Sequence, residues 1–134
     1  MGSAQIKKIL FVGQERSRLA VERGVHWEDE AQCANQLFRA IRAVGIRPED
    51  CEFVNLFEDS SDGVAEAKKT VNKKGANKIK RWRGHVVGLG KIVGRRLKSM
   101  GIECREMVHP AARGSIRLKE NYIRMASARI GDLA

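Results

Sequence analysis

The chain has few cysteines, and those few are poorly placed to act together. Cys33, Cys51 and Cys104 are odd in number, far apart and never in a Cys-x-x-Cys pair. That argues against a disulfide scaffold and against a zinc or iron–sulfur cage. His26 and His85 have no ligand-like spacing with the cysteines, so no metal and no cofactor is expected. No apolar run approaches about 18 residues, which excludes a membrane-spanning helix. The opening Met1-Gly2-Ser3-Ala4 lacks the apolar stretch of a secretory signal. A Walker phosphate loop, internal repeats and low-complexity tracts are missing too. The expectation is a single soluble domain spanning residues 1–134 in a reducing, cytoplasmic compartment, with no membrane partner.

Acidic side chains are scarce in one half of the chain. Residues 1–62 carry 8 basic and 11 acidic side chains, net −3, whereas residues 63–134 carry 18 and 5, net +13. A field polarised to this extent attracts a polyanion, and DNA is the expected partner. The alternative is a solvated basic face that only keeps the protein soluble. Eight of the basic residues fall in one run: Lys68, Lys69, Lys73, Lys74, Lys78, Lys80, Arg81 and Arg83, with Trp82 embedded. With Lys91 they are candidate phosphate contacts, and the aromatic could stack a base.

At 43% hydrophobic residues, the chain can bury a core. Ile9-Leu10-Phe11-Val12, ending at Gly13, reads as a buried strand. Ala34, Leu37, Phe38, Ile41 and Val44 recur at helical spacing between a capping Asp29 and a stop at Gly45. A second strand is expected at 52–57. A helix is then expected from Ser61 or Asp62 through Val64, Ala67 and Val71, broken at Gly75 and followed by a turn over 77–82. His85–Leu89 is a third strand and Lys91–Met100 a helix stopped by Gly101. Residues 102–108 alternate like an edge strand. Ser115 caps a last helix that carries Ile116, Ile123, Ala126 and Ile130 on one face. Four strands alternating with helices predict a three-layer α/β/α sandwich around a four-stranded parallel sheet.

In such sheets ligands bind beyond the carboxyl ends of the strands. Those ends hold Gln14 and Glu15, then Asn55, then Gly88-Leu89-Gly90, then His109-Pro110. An amide and an imidazole can read the edge of a planar heterocycle, and a carboxylate can position water. The spacing Gly88-x-Gly90-x-x-x-Gly94 invites a dinucleotide-binding reading. It follows the third strand rather than the first, and no acid ends the next strand.

These residues resemble the uracil-DNA glycosylase superfamily, whose fold is a parallel four-stranded α/β/α sandwich. Gly13-Gln14-Glu15-Arg16-Ser17 stands at its first loop and Phe53-Val54-Asn55 at its second strand. Val87-Gly88-Leu89-Gly90 stands at the third, and His109-Pro110-Ala111-Ala112-Arg113-Gly114 at the last. Gly24-Val25-His26-Trp27 and Asn35–Ile41 are similar to the mismatch-specific branch. The likeness runs from about Ile9 to Tyr122. Glu15 stands where the family has Asp or Asn, Arg16 where it has proline, and Ala111 where it has serine.

The resemblance implies excision of uracil or a related deaminated base by base flipping. Glu15 would orient water or steady the oxocarbenium-like sugar, and His109 would stabilise charge on the departing base. Asn55 and Gln14 would contact the base, and Trp27 or Phe57 would stack on it. Arg113 would be the wedge or a phosphate contact. The rival expectation is a non-catalytic member of the same fold that binds nucleic acid.

Overall fold

The computed structural model describes residues 9–16, 18–24, 26–27, 34–107 and 119–131. Four strands form one all-parallel sheet: β1 (Ile9–Gly13), β2 (Cys51–Asn55), β3 (His85–Leu89) and β4 (Arg105–Met107), in the order β2-β1-β3-β4. β1 is buried at every residue because it pairs on both sides, Phe11 lying opposite Phe53 in β2 and Val87 in β3. A strand covered on both faces needs no polar alternation, which is why it reads as an unbroken apolar run.

Among the described residues five α-helices accompany the sheet: α1 (Arg18–Arg23), α2 (Ala34–Ala43), α3 (Lys73–Arg81), α4 (Lys91–Ser99) and α5 (Lys119–Gly131). The period of two along the strands sorts their side chains onto two faces. Ile9, Phe11, Phe53, Val87 and Leu89 pack with Leu37, Phe38 and Ile41 of α2 and with Ala126 and Ile130 of α5. Leu10, Val12 and Val86 pack on the other face with Ile79 of α3 and with Val93 and Leu97 of α4. The chain steps from β1 to β2 in one direction and returns past β1 to β3, so right-handed crossovers put α2 and α3 on opposite faces. The α/β class and the parallel sheet are as expected. Gly45 and Gly101 end α2 and α4 at φ values of 80° and 76°, where a side chain would strain the backbone.

The segment between β2 and β3 differs from the expectation. Residues 61–72 form no α-helix: 3-10 turns cover Asp59–Ser61 and Glu66–Lys68, and Val71 pairs antiparallel with Phe57. The helix comes later, and Gly75 lies inside it rather than ending it. The reason is steric. A Cβ on Gly75 would sit 2.5 Å from the backbone oxygen of Asn55, so only glycine lets α3 dock against the end of β2. Ala in a helix interior ordinarily gains about 1 kcal/mol over Gly. Here Gly75→Ala is expected to destabilise the protein by about 1–3 kcal/mol, because the obstacle is backbone. A denaturant midpoint above that of the wild type would contradict this packing.

β4 is shorter than the expected edge strand. The cap expected at Ser115, with Ile116, lies outside the described residues, as does the cap expected at Asp29. No helix among the described residues is long and apolar enough to cross a membrane.

Candidate functional site

Beyond their formal ends β1 and β2 stay hydrogen-bonded. The Leu56 N–H donates to Gly13 O and the Phe57 N–H to Gln14 O, both at 2.9 Å. The chain then folds back: Glu58 N–H donates to Thr70 O at 2.8 Å and Asn72 N–H to Leu56 O at 2.7 Å. This doubling back builds a cavity of about 450 Å³ at the carboxyl ends of β1 and β2. Trp27, Phe53, Asn55 and Asn72 form its wall, and Arg16, His26, Glu58 and Asp59 also line it.

The Trp27 indole donates from Nε1 to Asn55 Oδ1 at 2.9 Å. An indole N–H can only donate, so the Asn55 oxygen must face it. The amide orientation is therefore fixed, with the NH2 group left as a donor and one oxygen lone pair spare. Gly13 makes the contact possible, because a Cβ there would lie 2.6 Å from Trp27 Cζ2 and 2.8 Å from Asn55 Oδ1. Trp27 stacks on Phe53 at 6.1 Å between centroids and 24°, and Phe53 stacks on Phe38 at 4.7 Å and on Phe11 at 5.4 Å. An aromatic column thus carries the core up to the cavity wall.

Asn72 precedes α3, yet its side chain makes no capping bond to the helix. Its Nδ2 donates instead to the backbone oxygen of Asn55 at 3.2 Å.

Arg16 grips Asp59 through Nε at 3.2 Å to each oxygen and through Nη2 at 2.7 Å to Oδ2. Its Nη1 lies 3.4 Å from His26 Nε2. The guanidinium holds the Asp59 carboxyl below its ordinary value, chiefly by hydrogen bonding. The first and second strand-end loops are thereby tied together across the cavity.

Glu15 occupies a different place from the one its sequence position suggests. It does not line the cavity. Its Oε1 accepts a 2.7 Å bond from Lys69 Nζ, with side-chain exposures of 7% and 5%. Lys69 also donates to Ser61 O at 2.8 Å, and Ser61 Oγ accepts the Thr70 N–H at 2.9 Å. Burial pushes the Glu15 carboxyl up, outweighing the Lys69 hydrogen bond and charge, and Asp62 and Asp59 push the same way.

One reading needs correction. Lys69 is no surface phosphate contact, because it is consumed by Glu15 and Ser61 inside the protein. Phe57 also lines the cavity but is only 1% exposed, with Lys69 Nζ 5.8 Å and the Arg96 guanidinium 5.1 Å from its ring centroid. Trp27, half-buried, is the more exposed of the two aromatics expected to stack on a base.

Of the other candidates, Gln14 is half-buried and contributes its backbone oxygen to the β2 extension. Lys68, Lys73, Lys74, Lys80, Arg81, Arg83 and Lys91 are exposed, and Lys78 pairs with Glu52. His109 and Arg113 lie outside the described residues. The fold unites Trp27 with Asn55, and it adds Arg16, His26, Glu58, Asp59 and Asn72, which the sequence did not single out as ligand contacts. They lie on three loops, and no local spacing links them. Within α4, Gly94 lies against the Glu106 side chain, which a Cβ would strike. Among the described residues no group of three or more His, Cys, Asp or Glu could hold a metal ion.

The carboxyl ends of the strands are where open parallel α/β sheets ordinarily hold ligands. No known protein family matches the chain, and no curated protein sequence matches it.

Proposed function

We propose that this chain takes a nucleobase out of DNA into the cavity at the ends of β1 and β2, and excises uracil or a related deaminated base. The observation that carries this reading is the Asn55 amide, locked by Trp27 with its NH2 group available and set beside an aromatic wall. The resemblance to the uracil-DNA glycosylases supplies the reaction. The parallel sheet is compatible with that family.

The cavity's charges favour a neutral occupant. Arg16 is matched by Asp59, and Glu58 adds a carboxylate, so phosphate is better held outside. The basic face begins next door, because α3 docks on Asn55 through Gly75 and carries exposed Lys73, Lys74, Lys80 and Arg81. A strand whose phosphates follow α3 would bring a flipped base to Trp27 and Asn55. In hydrolysis, water oxygen bonds to C1′ as the glycosidic C–N bond breaks. The bonding pair leaves with the base, which finally gains the proton released by water. By the resemblance, His109 offsets charge at the base carbonyl and Arg113 contacts the duplex.

A second reading is a non-catalytic nucleic-acid binder. Glu15 favours it, since the carboxylate expected to handle water is held in a buried ion pair away from the cavity. Labelled single- and double-stranded oligonucleotides bearing uracil, hypoxanthine or xanthine, treated with alkali after incubation, separate the two. Scission that disappears in His109→Ala supports the glycosylase. Salt-sensitive binding with no scission on any lesion leaves the binder.

A further inference from the structure

We propose that Asn72 determines which base the cavity accepts, its Oδ1 taking a ring N–H while the Asn55 NH2 group donates to the adjoining carbonyl. This rests on reading the cavity as a base pocket, and it assigns a role to a residue outside all the sequence motifs.

The argument begins with atom identity. A backbone oxygen can only accept, so the Asn72 group 3.2 Å from Asn55 O must be the NH2, and Oδ1 is turned the other way. Both amides lining the cavity are thus oriented by partners that allow one assignment only. Asn55 is held by a donor, the indole, and keeps its NH2 for a ligand. Asn72 is held by an acceptor and keeps its oxygen. Among the described residues neither of these two remaining groups has a hydrogen-bond partner.

The local structure points the same way. Asparagine before a helix normally turns its oxygen onto the first-turn N–H groups. Asn72 forgoes that bond, and no acidic residue in the first turn of α3 replaces it. A local preference given up without local compensation is expected where a side chain serves a site. The oxygen is thereby spared for the cavity, and the tie to Asn55 O couples the two amides.

A donor beside an acceptor recognises the complementary edge, a ring N–H next to a carbonyl. Uracil and hypoxanthine have that edge. Cytosine and adenine present the reverse, an amine beside a bare ring nitrogen, and would leave both amides facing like groups.

The test uses the full chain and two small ligands, 1-methyluracil and 1,3-dimethyluracil, which differ only at N3, where the second carries a methyl in place of the hydrogen. In calorimetric titrations the wild type should bind 1-methyluracil roughly tenfold more tightly, the worth of one hydrogen bond. In Asn72→Ala the preference should fall below about twofold. Equal affinities in the wild type would overturn the proposal without reference to any variant. A preference that survives intact in Asn72→Ala would also overturn it, giving the N–H to the spare lone pair of Asn55. Scission of uracil-containing DNA alongside that second result would leave the glycosylase standing and remove only the role of Asn72. Failure of both ligands to bind at millimolar concentration, with no scission, would overturn the base pocket itself.

Discussion

Lys69→Met is expected to lower the stability of the protein by about 3–5 kcal/mol, the usual cost of stranding one member of a buried ion pair. The stranded group is Glu15, 7% exposed and paired with the Lys69 ammonium at 2.7 Å. The melting temperature should fall by about 10–20 °C. The deficit should depend on pH with a definite sign. Glu15 already has its folded-state carboxyl above the ordinary value of 4.5, and losing Lys69 pushes it higher. Such a group favours the folded state below its unfolded pKa, and that contribution is lost as pH rises through the folded value. The gap between variant and wild type should therefore close toward pH 4.5 and open above it. Glu15→Met combined with Lys69→Met should recover most of the loss, less about 1 kcal/mol for the abandoned Ser61 carbonyl. A single variant as stable as the wild type at neutral pH would show that the pair does not hold the two loops together.

Gly13→Ala should damage function far more than folding. The added methyl would lie 2.6 Å from Trp27 Cζ2 and 2.8 Å from Asn55 Oδ1, so the indole and the amide must part. Trp27 is backed by Phe53 and Asn55 is fixed at the end of a strand, which leaves the 2.9 Å bond between them to give way. A displacement near 1 Å in a positioning group can cost about 100-fold in rate. On the proposed glycosylase reading, turnover on uracil-containing strands should fall by that order, against a stability loss of about 1–3 kcal/mol. Unchanged turnover in a folded variant would separate the cavity from the chemistry.

The sheet was legible because its signals are local. β1 and β3 stand out as short apolar runs between turn residues, and α2 declares its buried face through Leu37, Phe38 and Ile41. Residues 61–75 misled because Val64, Ala67 and Val71 mimic helical spacing. Val71 is placed by its pairing with Phe57, a contact made only after the chain has turned back. Gly75 looked like a breaker by propensity, whereas close approach to Asn55 O decides its identity. At the site, Asn55 was visible as an amide interrupting an apolar strand. Lys69 could not be told from seven basic neighbours, since burial depends on where Glu15 arrives. Asn72 sat inside a basic run and offered no pattern, because its meaning lies in which atom faces Asn55.

The double pairing of β1 also governs the order in which the protein can be made. Ile9 finds its sheet partners at Cys51 and His85, so β1 leaves the ribosome before both of its neighbours and is enclosed only once they follow. Until β3 has emerged, one edge of this wholly apolar strand lacks its neighbour, a condition that invites pairing with other chains. Nascent fragments ending before residue 85 should therefore be the ones that need a holdase, and the acquisition of β3 marks the point at which synthesis becomes safe.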